Sequence, residues 1–198
     1  CLGFENTSKN TNYTYQFTLE YENRSGFNII DEKFTNNEDG TCKNYENQNL
    51  TSLNLKNSFT LSKEEKEVKS FLSNVVGYSF YNTNLFNSSL QIVDKTNICA
   101  LLPNAQNMAS LLYLLKSKYP VSYKRIIDVL KIVIKPFEDF YFIEDGKNTV
   151  LKFKMQGLTY PVSINSLSDG TIRFIVLSLL LNLPTKLRPS LILLEEPE

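Results

Sequence analysis

The sequence contains no histidine. By itself it therefore cannot supply a Ser-His-Asp triad, a Cys-His pair or a histidine-ligated metal site. Cysteine is scarce: Cys1, Cys42 and Cys99 are far apart and odd in number. No Cys-x-x-Cys spacing occurs, so zinc and thioredoxin-like readings fail, and three scattered thiols do not make a disulfide framework. A reducing, cytoplasmic setting is the expectation. Seven glycines and seven prolines are too few for a collagen-like or linker-like chain. Neither sign of charge is in excess, with 21 basic residues against 21 acidic ones. That balance predicts no strong general attraction to nucleic acid or to an anionic membrane, and leaves a local basic patch open. The longest apolar run, Phe174 to Leu183, is too short to span a bilayer and is broken by Ser178 and Asn182.

What is present is enough apolar surface for a core, at 42% hydrophobic residues in 198. That length suits one domain, or one domain with a small insertion. The chain opens at Cys1 rather than Met, shows no signal peptide, and stops at Glu198 just after a strand-like run. It reads as an internal piece of a longer protein. The first third is rich in Asn, Thr, Tyr and Lys, and its Asn-x-Ser/Thr triplets, such as Asn12-Tyr13-Thr14, follow from that composition.

Tyr13, Tyr15, Phe17, Leu19 and Tyr21 alternate with polar residues and predict a half-buried strand. Residues 22–26 are turn-like and 27–34 read as its hairpin partner. Residues 36–49 read as loop. Ser62 followed by Glu65 is a capping box that opens a short charged helix to about Leu72. The stretch from Val75 to Ile98 is ambiguous. Asn104 is the expected cap of a second helix, with Met108, Leu111, Leu112 and Leu115 on one face, and Pro120 breaks it. A third helix follows, with an apolar stripe of Tyr123, Ile126, Ile127, Leu130, Val133, Ile134 and Phe137, ended by Pro136. The outer faces of these two helices carry Lys116, Lys118, Lys124, Arg125, Lys131 and Lys135. They are either a solvated face or a phosphate-binding strip. Phe140 to Met155, turning at Asp145-Gly146-Lys147-Asn148, reads as a second hairpin.

The chemistry is concentrated near the end. Ser168-Asp169-Gly170-Thr171 is a short polar turn, followed by Ile172 to Leu183, apolar nearly all round and so expected as a buried helix. Pro184 and Pro189 bracket a connection. Ser190-Leu191-Ile192-Leu193-Leu194 is then a continuous apolar run, expected as a central parallel strand buried on both faces. It ends in Glu195-Glu196-Pro197-Glu198. A helix N-terminus with a serine hydroxyl and a glycine suits a phosphate. Two adjacent carboxylates at the carboxyl end of a strand point differently, so one can face a hydrated magnesium ion and the other an attacking water. Taken singly, the turn is also an ordinary N-cap and the glutamates an ordinary solvated turn.

The joint pattern resembles the signature-to-Walker-B segment of ABC-type ATPases, and most closely the soluble predicted AAA-type ATPases related to RecF, to structural-maintenance-of-chromosomes proteins and to the overcoming-lysogenization-defect nucleases. The helical stretch from Asn104 to Phe140 and the hairpin after it also look like that branch. The resemblance implies an α/β fold, a partial P-loop ATPase head. Its parts would be residues 1–61, a β-rich part with a variable loop; 62–138, a helical lobe; and 139–198, the hairpin, signature helix and Walker B strand. It implies that Ser168, Asp169, Gly170 and Thr171 contact the γ-phosphate of ATP held by an opposite subunit. Glu195 would orient Mg2+ through water, and Glu196 would be the general base or water-positioning residue. Pro197 and Glu198 would begin the loop coupling the two sites. The partners it implies are a second head in a homodimer, a nuclease, and DNA or RNA, with no membrane, in DNA repair or phage defence.

Departures exist. Asp169 stands where transporters have Gly, Thr171 where they usually have Gln, and Glu195 replaces the commoner Asp. These changes favour the soluble branch over a transporter. No Gly-x-x-x-x-Gly-Lys-Ser/Thr loop occurs in the sequence, so these residues alone are expected neither to bind ATP well nor to hydrolyse it. The alternative, from another class, is a non-catalytic interaction or regulatory module with a degenerate ATPase fold.

Overall fold

The alternating tyrosines of the first third do form a strand. The computed structural model describes residues 2–3, 13–22, 26–45, 55, 60–79, 93, 100–145 and 148–195. They fall into two compact units, Cys1–Asn74 and Val75–Glu198.

In the first unit an antiparallel sheet runs in the order β1 (Leu2–Gly3), β2 (Tyr13–Glu22), β3 (Gly26–Asn36), β4 (Cys42–Asn44). The β2–β3 hairpin pairs Tyr13 with Asn36 and Glu22 with Gly26. The expected single face does not run the whole length of β2. Thr18 pairs with Asp31 but Leu19 with Ile29, so Ile30 is an extra residue on β3. A bulge of this kind bends and twists the strand, and Leu19 is 48% exposed while Tyr13 and Tyr15 are buried. Residues 42–44, expected as loop, are the strand β4. The turn before it closes at Gly40, whose φ of +71° is a left-handed conformation that glycine adopts at little cost. Asp39 Oδ1 accepts from the Thr41 N–H at 2.8 Å and from its hydroxyl at 2.6 Å.

Helix α1 (Lys63–Ser73) starts at the predicted capping box. The Glu65 N–H donates to Ser62 Oγ at 3.2 Å, and the Ser62 N–H donates to Glu65 Oε2 at 2.7 Å. Glu65 does more than cap. Its other oxygen accepts from Lys43 Nζ at 2.7 Å and from the Tyr45 hydroxyl. The buried carboxylate therefore ties α1 to β4 and the residue after it. Glu32, also buried, accepts from the Tyr15 hydroxyl at 2.7 Å and from the Leu55 N–H at 2.8 Å. Tyr13, Tyr15, Phe34, Leu55 and Val68 form the core of this unit.

In the second unit, β5 (Val75–Ser79) pairs in parallel with β8 (Leu191–Glu195), from Val75 opposite Leu191 to Ser79 opposite Glu195. The ambiguous stretch after Val75 thus begins with a strand. Between these strands come α2 (Met108–Lys118), α3 (Pro120–Val133), the antiparallel hairpin β6 (Phe137–Asp145) and β7 (Asn148–Met155), a 3-10 turn at Ile164–Ser166, and α4 (Asp169–Leu181).

Asn104 does not cap α2. The cap position is Asn107, whose side chain bridges backward, accepting from the Leu102 N–H at 2.9 Å and donating to the Ala100 carbonyl at 2.7 Å. The intervening Ala105 has φ +53°, so the chain turns there before the helix can start. Pro120 sits at the first position of α3, where its missing N–H costs nothing. Tyr123, Ile126, Ile127 and Leu130 bury the predicted stripe, whereas Val133 is 56% exposed because the helix ends there. Phe137, Phe140 and Phe153 meet edge to face or tilted, with centroids 5.1 to 6.4 Å apart. They join Leu111, Leu112, Leu115, Ile175, Val176 and Leu179 in one core. The architecture is mixed α and β. No helix among the described residues is long and apolar enough to cross a membrane.

Candidate functional site

Ser168 is the N-cap of α4. Its Oγ accepts from the Thr171 N–H at 3.2 Å and lies 2.8 Å from the Thr171 hydroxyl. Asp169 is the first helical residue, where a carboxylate favours the positive end of the helix dipole. Ser168, Asp169 and Gly170 are exposed. A Cβ built on Gly170 meets nothing within 4 Å. The four residues of the turn therefore sit together at the open N-terminal end of a helix. Behind it, Ile172, Ile175, Val176, Leu179 and Leu180 are buried, which is why a sequence apolar on nearly all sides holds as a helix here. Leu181, at its end, is 61% exposed.

Glu195 is the last residue of β8, exposed, with Ser79 as its partner in the neighbouring strand. The strand is parallel, as the apolar run predicts, but it is not buried on both faces: Leu191, Leu193 and Leu194 are 39%, 53% and 41% exposed. The physical reason is that its sheet has two strands among the described residues, too narrow to be sandwiched between helix layers. Glu196, Pro197 and Glu198 lie outside the described residues. Among the described residues, no hydrogen bond or ion pair joins Glu195 to the Ser168–Thr171 turn. No group of three acidic, cysteine or histidine residues that could hold a metal occurs among them either.

A second feature lies between α3 and the hairpin. An open groove of about 570 Å³ is lined by Tyr123, Lys124, Asp128 and Lys131 from the helix and by Asp139 and Lys154 from the strands, among others. None of the signature-like residues lines it. The Tyr123 hydroxyl donates to Asp139 Oδ1 at 2.7 Å, and Lys116 Nζ lies 3.4 Å from Asp139 Oδ2. Lys116 also donates to the Phe140 carbonyl at 3.2 Å and sits 5.4 and 5.6 Å from the ring centres of Tyr123 and Phe142. Burial first, and the Asp139 carboxylate second, push the Tyr123 hydroxyl far above the usual tyrosine range. Lys154 pairs with Glu138 at 2.8 Å, and that hydrogen bond raises the pKa of the ammonium. The sequence reading named the lysines of α2 and α3 but not Asp139, Glu138 or Lys154. Asp139 pairs with Lys154 in the β6–β7 register, and Glu138 is the extra residue where the register shifts between Phe137 and Asp139, so alternation alone does not bring both carboxylates to the groove.

Comparison with protein-family models, with curated proteins and with solved structures gives no match.

Proposed function

We propose that this chain is part of an ABC-type P-loop ATPase head of the RecF- and SMC-like branch. In that reading the complete protein binds and hydrolyses ATP between two heads in the cytoplasm, in the service of DNA repair or phage defence, with a nuclease partner. The observation that carries the reading is the parallel pairing of β5 with β8, which ends at Glu195 and follows directly on the helix capped by Ser168. Ligands of parallel α/β sheets bind beyond the carboxyl ends of the strands. A helix N-terminus favours an anion.

In this reading Ser168, Asp169, Gly170 and Thr171 face the γ-phosphate bound by the opposite head. Glu196 orients the attacking water and takes its proton. An exposed lone carboxylate at a strand end fits magnesium, which is held by one or two carboxylates plus phosphate oxygens and keeps its waters. Glu195 would hold that ion, which neutralises phosphate charge when bound. The reading also requires a phosphate-binding loop outside these residues.

A non-catalytic interaction module is the second reading. It is favoured by the internal satisfaction of the Ser168 hydroxyl, which already serves Thr171 as a cap. The two part on Glu196→Gln in the full-length protein. A general base or water-positioning role predicts a loss of hydrolysis of about 10²- to 10⁴-fold with ATP binding retained. Hydrolysis at the unsubstituted rate, or none in the unsubstituted protein, would overturn the ATPase reading.

A further inference from the structure

We propose that the outer face of α3 docks against the same face of a second copy of this chain, antiparallel and without nucleotide. Rotation of α3 is fixed by its buried stripe of Tyr123, Ile126, Ile127 and Leu130. The face turned away from that stripe carries Val121, Arg125, Asp128 and Ile132, all exposed. Eleven residues are close to three whole turns, so Val121 and Ile132 stand in line about 16 Å apart along the axis. They are 66% and 69% exposed. Taken singly, two such side chains carry no meaning. The charges between them give the face its character. Arg125 lies nearer Val121 and Asp128 nearer Ile132. Among the described residues, neither makes an ion pair or a hydrogen bond. Their order, cation before anion, is also the less favourable one for pairing within a single helix.

The pattern is complementary to itself. A twofold axis at the level of Ile126 and Ile127 sets Val121 opposite Ile132 of the second copy and Arg125 opposite its Asp128. Each contact then occurs twice, as a closed two-fold interface requires. Apolar pairs close both ends, and two opposite-charge pairs fix the register between them. Other occupants fit less well. A polyanion meets Asp128 at the centre of the face. A bilayer meets Arg125 and Asp128 between the two aliphatic side chains, so no continuous apolar face is left to enter it. The size of the face sets the strength. A helix of 14 residues is about 21 Å long. It offers less than the roughly 800 Å² per partner of a standard interface, which places the pair in the weak class. A dissociation constant of about 10–100 μM is expected. The contact uses neither the Ser168 turn nor β8, so it is separate from the ATP-bridged contact proposed above.

The test is sedimentation velocity on this chain, without nucleotide or magnesium, from about 1 to 300 μM, a range that brackets a micromolar dimer. Without ATP in the assay, its failure leaves the ATPase reading where it was. The 22.8 kDa chain should shift toward twice its mass as concentration rises. Val121→Asp should weaken the dimer at least about tenfold. Aspartate in the first turn of a helix suits its dipole, so the fold is kept, and an unchanged circular dichroism spectrum checks this. Arg125→Asp and Asp128→Arg, each alone, set like charges opposite each other and should weaken the dimer about fivefold or more. An equimolar mixture of these two variants restores opposite charges across the contact. It should dimerise within about threefold of the unsubstituted chain. Leu193→Ser, on the exposed part of β8, should leave dimerisation within about twofold. Four results overturn the proposal: a monomer over the whole range, association unmoved by Val121→Asp, a mixture no tighter than either variant alone, or association abolished by Leu193→Ser.

Discussion

Replacing Gly170 with alanine separates the stability of α4 from the activity proposed for its N-terminus. Gly170 is the second residue of the helix and does not have a positive φ. Apart from its chain neighbours and the adjoining helix backbone, a methyl group there meets no atom of the described residues within 4 Å. Within the chain the substitution therefore has no steric cost. It also removes the backbone freedom that glycine enjoys in the unfolded state, a gain of about 0.4–1 kcal/mol. First-turn positions make fewer helical hydrogen bonds than interior ones, so the lower half of that range applies. For a chain of this size about 0.5 kcal/mol corresponds to a rise in Tm of roughly 1–2 °C. The ATPase reading asks the same space to accept a nucleotide held by an opposite head. A methyl group among the helix N–H groups would hold the phosphate off, and hydrolysis should fall at least about tenfold, equivalent to about 1.4 kcal/mol at the transition state. Thermal unfolding is measured on this chain, and phosphate release on the full-length protein. A raised Tm with unchanged hydrolysis refutes the close approach and leaves Gly170 as an ordinary first-turn residue. A lowered Tm refutes the open space around it.

Two further predictions concern the first unit and the buried hydroxyls. Glu65→Ala strands the Ser62 N–H, the Tyr45 hydroxyl and Lys43 together, and should destabilise the chain by about 3 kcal/mol in urea unfolding, against about 1 kcal/mol for Ser62→Ala, which removes one cap bond. Equal losses would show that Glu65 acts only as a cap. The hydroxyls of Tyr15, Tyr45 and Tyr123 are held above their ordinary pKa, by burial first and by hydrogen bonds to Glu32, Glu65 and Asp139 second. A raised folded-state pKa gives stability that is complete below the unfolded value, about 10, and is lost as pH rises above it. Tyrosinate absorbance should therefore show these three ionising only with the loss of tertiary structure. Their free titration in the folded protein near pH 10 would refute that placement.

Elements governed by local chemistry were legible in the sequence. Ser62 and Glu65 bond each other because their spacing leaves each side chain within reach of the other's N–H, whatever the rest of the chain does. Pro120 divides α2 from α3 for an equally local reason, its missing N–H. Elements that depend on a distant partner were less legible. The strand β4 is held by its register with β3, with Phe34 opposite Lys43, and its own residues, Cys42-Lys43-Asn44, carry no apolar alternation to announce it. The bulge at Ile30 leaves its trace in one arm alone: the apolar phase of β3 shifts from Phe27 and Ile29 to Ile30 and Phe34, while β2 alternates unbroken from Tyr13 to Tyr21. At α2 the capping signal misleads: Asn104 lies before the left-handed turn at Ala105, and Asn107, at the cap position, makes no side-chain cap bond and instead ties back to Leu102 and Ala100.

The candidate site divides along the same line. The Ser168 turn is a local motif and stands where its pattern places it, and its geometry serves a cap and a phosphate equally well, because both use the same N–H groups. Glu195 is different. An apolar run such as Leu191-Ile192-Leu193-Leu194 predicts a strand buried on both faces only if layers exist to cover it, and that is a property of the partners and not of the run. Here β5 supplies one edge, and three of the four residues remain more than a third exposed. Aliphatic side chains of that size are each worth about 1.5–3 kcal/mol when fully buried. An occupant of those faces would therefore set the orientation of the strand end, and with it the direction in which Glu195 points.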